Sequence, residues 1–140
     1  MMVGILIVAH YNLGKELVTA TEMMSGKMES VQVVSIDPKK NVEKLRKEIS
    51  TAIKNVDNGD GVLIITDMFG GTPSNMSLSF LEEGKVEVLT GVNLPMLIRL
   101  ATYRDNKTLV ELASDLKSFG RKNINLAGEI MNKKVDTLSG

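Results

Sequence analysis

Four short apolar runs punctuate the chain: Val3–Val8, Val31–Ile36, Gly61–Thr66 and the weaker Val86–Thr90. Each is rich in Val and Ile, and most are near-continuous rather than alternating. Strands covered on both faces of a parallel sheet read this way. Between the runs the apolar spacing changes to steps of three and four. Leu13, Leu17, Ala20, Met23 and Met24 predict one helix face. Val42, Leu45, Ile49, Ala52, Ile53 and Val56 predict a second, with Lys and Glu opposite. A third helix follows Asp67-Met-Phe-Gly-Gly-Thr-Pro73, with Thr72 placed to cap it and Pro73 at its first position. A fourth begins near Asn93-Leu-Pro95. A fifth opens on the capping box Thr108-Leu-Val-Glu111, with Leu109, Leu112, Ala113, Leu116 and Phe119 on its apolar side and Gly120 as its stop. The tail, Ile124–Met131, reads equally as a last strand or a loop.

Strands alternating with helices predict an α/β domain: a doubly wound, mainly parallel sheet between two helical layers, a three-layer α/β/α arrangement. No repeat, linker or low-complexity stretch interrupts the pattern, so residues 1–140 read as a single domain. Such sheets bind ligands at the carboxyl ends of their strands, where the strand order reverses. For the order 2-1-3-4 that point lies between the first and third strands.

The residues leaving those two strands are therefore the candidates for chemistry. The first run ends in Ala9-His10-Tyr11-Asn12 and the third in Thr66-Asp67. His10 is the only histidine. Neutral imidazole is a nucleophile near pH 7. A carboxylate such as Asp67, accepting from one ring nitrogen, would fix the tautomer and aim the other nitrogen outward. Gly70 and Gly71 allow a sharp turn and close approach of the backbone to a ligand. Free amides at the start of the following helix, with the Thr72 hydroxyl, suit a phosphoryl group.

Composition narrows the function further. Lys plus Arg equals Asp plus Glu at 17 each, which argues against general nucleic-acid binding. There is no cysteine, hence no disulfide framework and no thiolate metal site, and the cytoplasm is the expected compartment. One histidine without cysteine is a poor metal-ligand set, so neither metal nor cofactor is expected. No phosphate-binding nucleotide motif is present. No run approaches the roughly 18 apolar residues of a membrane span.

Three segments carry a family resemblance: Gly4-Ile-Leu-Ile-Val-Ala-His10 with Asn12-Leu13, Gly61-Val-Leu-Ile-Ile-Thr-Asp67-Met-Phe-Gly-Gly-Thr-Pro-Ser-Asn75, and Thr90-Gly-Val-Asn-Leu-Pro-Met96. Over about residues 1–125 the chain resembles the enzyme IIA domain of the mannose-type bacterial phosphoenolpyruvate–sugar phosphotransferase system. The resemblance implies a central parallel sheet, a homodimer, and a last strand exchanged between subunits as an antiparallel fifth strand. It implies that the phosphocarrier protein HPr phosphorylates His10 and that His10 passes the group to an enzyme IIB component. It places Asp67 as the residue orienting His10, and Gly70, Gly71 and Thr72 in the loop beside the phosphoryl group. Thr72 stands where the family often has serine. No linker or IIB domain follows, so IIB is expected as a separate chain, in indirect contact with the membrane IIC and IID components. A related carrier feeding dihydroxyacetone kinase would use the same histidine. A flavodoxin-like binding module is disfavoured by two tyrosines, three phenylalanines and no tryptophan, and a purely structural subunit by the intact His10 and Asp67.

Overall fold

A computed structural model describes residues 1–68 and 70–132, with the backbone alone for residues 72–74. The elements run β1 (Gly4–His10), α1 (Leu13–Ser25), β2 (Val31–Ile36), α2 (Val42–Val56), β3 (Val62–Thr66), α3 (Gly71–Leu78), β4 (Val86–Leu89), α4 (Leu94–Tyr103) and α5 (Leu109–Lys122). The four strands are all parallel, in the order β2-β1-β3-β4. That is the expected doubly wound α/β sheet.

The continuous apolar runs follow from coverage on both faces. Every β3 residue is buried, and so is all of β1 except His10. Ile5, Ile7 and Ala9 of β1 share a core with Leu63 and Ile65 of β3 and with residues of α4 and α5. Leu6 and Val8 face the other way, with Val62 and Ile64, onto Leu45, Ile49, Ala52 and Val56 of α2 and Met76 of α3. At the amino edge, buried Arg104 donates to the carbonyls of Val3, Glu29 and Ser30, tying β1 to the start of β2. Among the described residues no helix is long and apolar enough to cross a membrane.

Several details depart from the sequence pattern. β1 is not among them: it ends at His10, as the sequence places it, its register with β2 continuing to Ile36 and the Tyr11 amide then donating to the Ile36 carbonyl at 2.9 Å. In α1 the residues wholly buried are Gly14 and Thr21, while Met23 and Met24 are exposed. The cause is a close approach at Gly14, where a Cβ would come within 2.8 Å of Val33. α3 starts at Gly71 with Gly70 in the capping position and no side-chain cap, so Thr72 is not the N-cap. Gly120 does not stop α5, which runs on to Lys122. Its missing side chain serves packing instead: a Cβ there would lie 2.8 Å from Met96, and the Asn93 amide donates to the Gly120 carbonyl at 3.0 Å.

The tail is not a fifth strand among the described residues. Residues 127–132 are helical, and the Glu129 and Ile130 amides donate to the Leu126 carbonyl. With no strand beside it, the segment satisfies its backbone locally, as a helix can and a lone strand cannot.

Candidate functional site

His10 is the last residue of β1, and Asp67 is the first after β3. The β1–β3 register pairs Val8 with Thr66, so the two residues emerge at the same sheet edge. There Asp67 Oδ2 takes two bonds from His10, from the backbone N–H at 3.0 Å and from ring Nδ1 at 2.8 Å. The backbone bond fixes where the carboxylate sits; the ring bond then fixes the imidazole. Burial pushes the Asp67 carboxyl up, but the backbone bond, the ring bond and the ring's charge outweigh it and hold the group below the usual carboxylate range. An ionised carboxylate only accepts, so Nδ1 carries the proton and Nε2 presents its lone pair. The His10 side chain is 37% exposed and that of Asp67 only 12%, so the ring is open while its hydrogen-bond partner is shielded.

The turn into α3 lies just beyond Asp67. Gly70 and Gly71 have φ of 97° and 82°, in the left-handed region that side chains with a Cβ rarely adopt. A Cβ on Gly70 would meet nothing within 4 Å, so the glycine there answers to conformation and not to crowding. The Thr72 side chain and Phe69 lie outside the described residues. Gly71→Val would put a β-branched residue at positive φ, at a cost of about 1–3 kcal/mol. Phosphotransfer is expected to fall at least about tenfold, the typical loss when a supporting element of a site is disturbed. Melting temperature and transfer rate check this together. A folded variant with normal transfer would take the turn out of the site.

Sequence reasoning missed what lies on the other side of the ring. A cleft of about 320 Å³ has His10 as one wall and Ile36, Asp37, Pro38, Lys40 and Val42 as others. The signal was present: β2 also ends at this edge, beside β1, and its exit is Asp37-Pro-Lys-Lys40. Tyr11, next to the histidine, has a left-handed φ of 51° and an exposed ring, and Met68 is exposed after Asp67.

A parallel α/β/α sheet carrying an ordered histidine–aspartate pair at its switch point is the class that fold and site define. Residues 4–117 match the family model described as the PTS system fructose IIA component, and the chain belongs to that family, the mannose-type enzyme IIA components of the sugar phosphotransferase system. It is 26% identical to the fructose-specific EIIA component of Bacillus subtilis, over 94% of this chain and 91% of that one. It is 33% identical to the sorbose-specific EIIA component of Lacticaseibacillus casei, over 80% of this chain and 81% of that one. The fold matches the crystal structure of an EIIA component from Streptococcus agalactiae with a TM-score of 0.81 at 24% identity, covering 91% and 99% of the two chains. The protein is thus a phosphotransferase component of the mannose family.

Proposed function

We propose that His10 accepts a phosphoryl group from phospho-HPr and passes it to an enzyme IIB component during sugar uptake. The observation that carries this reading is the 2.8 Å bond between Nδ1 and Asp67, which leaves Nε2 as the free nucleophile. In the forward step the Nε2 lone pair forms a new P–N bond while the donor's P–N bond breaks and its nitrogen leaves as a neutral imidazole. The His10 ring keeps its Nδ1 proton against Asp67, whose charge opposes the positive charge the ring gains. Gly70, Gly71 and Thr72 hold the phosphoryl oxygens, and the α3 amino terminus favours their charge by about 0.3–1 kcal/mol. The same events in reverse order deliver the group to IIB.

In this reading residues 1–140 act as one domain in the cytoplasm, meeting the membrane components only through IIB. The test is incubation with phosphoenolpyruvate, enzyme I and HPr, then intact mass and mapping of the modified residue, then addition of IIB. Gain of one phosphoryl group on His10 and its discharge by IIB are expected. No gain, or a gain elsewhere, overturns the reading.

We also propose a homodimer. Ile124, Leu126, Ile130 and Met131 are exposed apolar residues on a short tail, and β4 is an outer strand of the sheet. An open sheet edge and a contiguous exposed apolar patch are features that a second copy can cover. Light scattering at micromolar concentration should give twice the 15.3 kDa of one chain; a single-chain mass refutes the dimer.

A further inference from the structure

We propose that Lys40 is a further phosphoryl-positioning residue, whose ammonium turns from Glu48 to the phosphoryl group carried by His10. This rests on His10 being the phosphorylated residue.

The charges at the site motivate it. A phosphoryl group brings between one and two negative charges at pH 7. It would arrive beside Asp67, held ionised by His10, and beside Asp37, which borders the cleft with its carboxylate occupied by the Lys39 amide at 2.9 Å. The helix and turn amides offset this with partial charge only. Among the described residues, Lys40 is the one cation that lines the cleft walled by His10.

Its placement fits. β1 lies between β2 and β3. Asp67 therefore reaches the ring from the β3 side, while Lys40 lines the cleft on its β2 side. The Lys40 backbone is fixed by its amide bond to the Asp37 carbonyl, at 2.9 Å, one turn after β2. Its Nζ is parked on the Ser35 carbonyl at 3.2 Å and on Glu48 Oε2 at 3.0 Å. Both partners of that ion pair are about one-third exposed. Pairs of this kind are weak and exchangeable, whereas an ammonium facing a phosphoryl dianion makes a stronger, charge-assisted bond. Glu48 thus keeps the lysine near the cleft in the unphosphorylated state and gives it up when the larger charge appears.

The test uses phosphoramidate as donor, so that docking of a partner protein plays no part. Its P–N bond breaks, ammonia leaves, and the new bond forms at Nε2. The phosphorylated wild type, Lys40→Met, Lys40→Arg and Glu48→Gln are then titrated by ³¹P NMR. Lys40→Met should raise the pH of the phosphoryl group's second ionisation by about half a unit to one unit, because a favourable charge is lost. Lys40→Arg should stay near wild type. Glu48→Gln should lower that pH by freeing the lysine, and should do nothing in the Lys40→Met background. Superposable titrations of wild type and Lys40→Met overturn the proposal, as does a Lys40→Arg curve that follows Lys40→Met. If Lys40→Met does not fold, an unshifted Glu48→Gln curve overturns it alone. A wild type that takes no phosphoryl group on His10 overturns instead the assignment of His10.

Discussion

His10→Gln takes up no phosphoryl group from phosphoenolpyruvate, enzyme I and HPr, and its transfer rate to IIB falls by at least about 10⁴-fold, the scale on which deleting a covalent nucleophile acts. The substitution removes the only imidazole in the chain. It leaves most of the local structure in place. The backbone N–H of residue 10 still donates to Asp67, the register of β1 against Ile36 is a backbone matter, and the lost ring was more than one-third exposed. The variant should therefore melt close to wild type, which separates loss of the nucleophile from loss of the fold. In the wild type the linkage should be labile to acid and stable to alkali, as expected of a phosphoramidate. Intact mass after each treatment reads both halves. Label that survives His10→Gln, or that resists acid, would falsify the assignment.

The parts of this protein legible in the sequence are those set by local pattern. Continuous Val/Ile runs mark β1 and β3 because both faces of both strands are covered, helical spacing locates α2 within a residue or two, and Asn93-Leu-Pro95 marks where α4 begins. Once the strands are known to be parallel and in the order 2-1-3-4, topology alone brings His10 and Asp67 to one edge. What stayed hidden depends on contacts between distant segments. Gly120 looks like a helix stop, but its neighbours Asn93 and Met96 lie more than twenty residues away and require it for close packing. Nothing in the local pattern singles out Arg104, yet it is 4% exposed and bonds to carbonyls about 75 and 100 residues distant. The expected apolar side of α1 holds in part: Leu17 packs against the core, but Leu13, Met23 and Met24 are exposed, and the helix comes nearest the sheet at Gly14, which has no apolar side chain to signal it. Val42 fits the buried face of α2 by spacing but is half exposed, since it sits where the helix passes the mouth of the cleft beside His10. The site's charge arrangement was hidden for the same reason: Lys40 and His10 are thirty residues apart and share a cavity only in the folded chain.

Asp67→Asn tests the least dispensable bond in the site. The wild-type carboxylate accepts two bonds at one oxygen, from the backbone and the ring of His10. Asparagine keeps the shape but replaces one oxygen by a donor. If the amide oxygen takes the Oδ2 position it keeps both bonds, and only the charge that supports the cationic ring is lost. If the amide turns its nitrogen there instead, the backbone bond is lost, the nitrogen donates to the ring, Nδ1 must accept, the proton moves to Nε2, and the nucleophilic lone pair is lost from the outward nitrogen. The corresponding change in a serine-protease triad costs about 10⁴ in rate. Here the donor phosphoryl group is already activated and no hydroxyl proton has to be removed. The expected loss is smaller, on the order of 10–100-fold, as for other residues that orient a reacting histidine. Nitrogen-15 chemical shifts of the His10 ring report the tautomer directly, and transfer rates from phospho-HPr report its consequence. Acid stability supplies a third reading. Because Asp67 is held below the usual carboxylate range in the folded chain, its charge contributes stability that is present above roughly pH 4 and lost as pH falls through its lowered value. Asp67→Asn should flatten that part of the acid-unfolding curve while leaving the neutral range less affected. An unchanged tautomer together with an unchanged transfer rate would reduce Asp67 to a cap on its own turn, and the orientation of His10 would then have to come from the strand end alone.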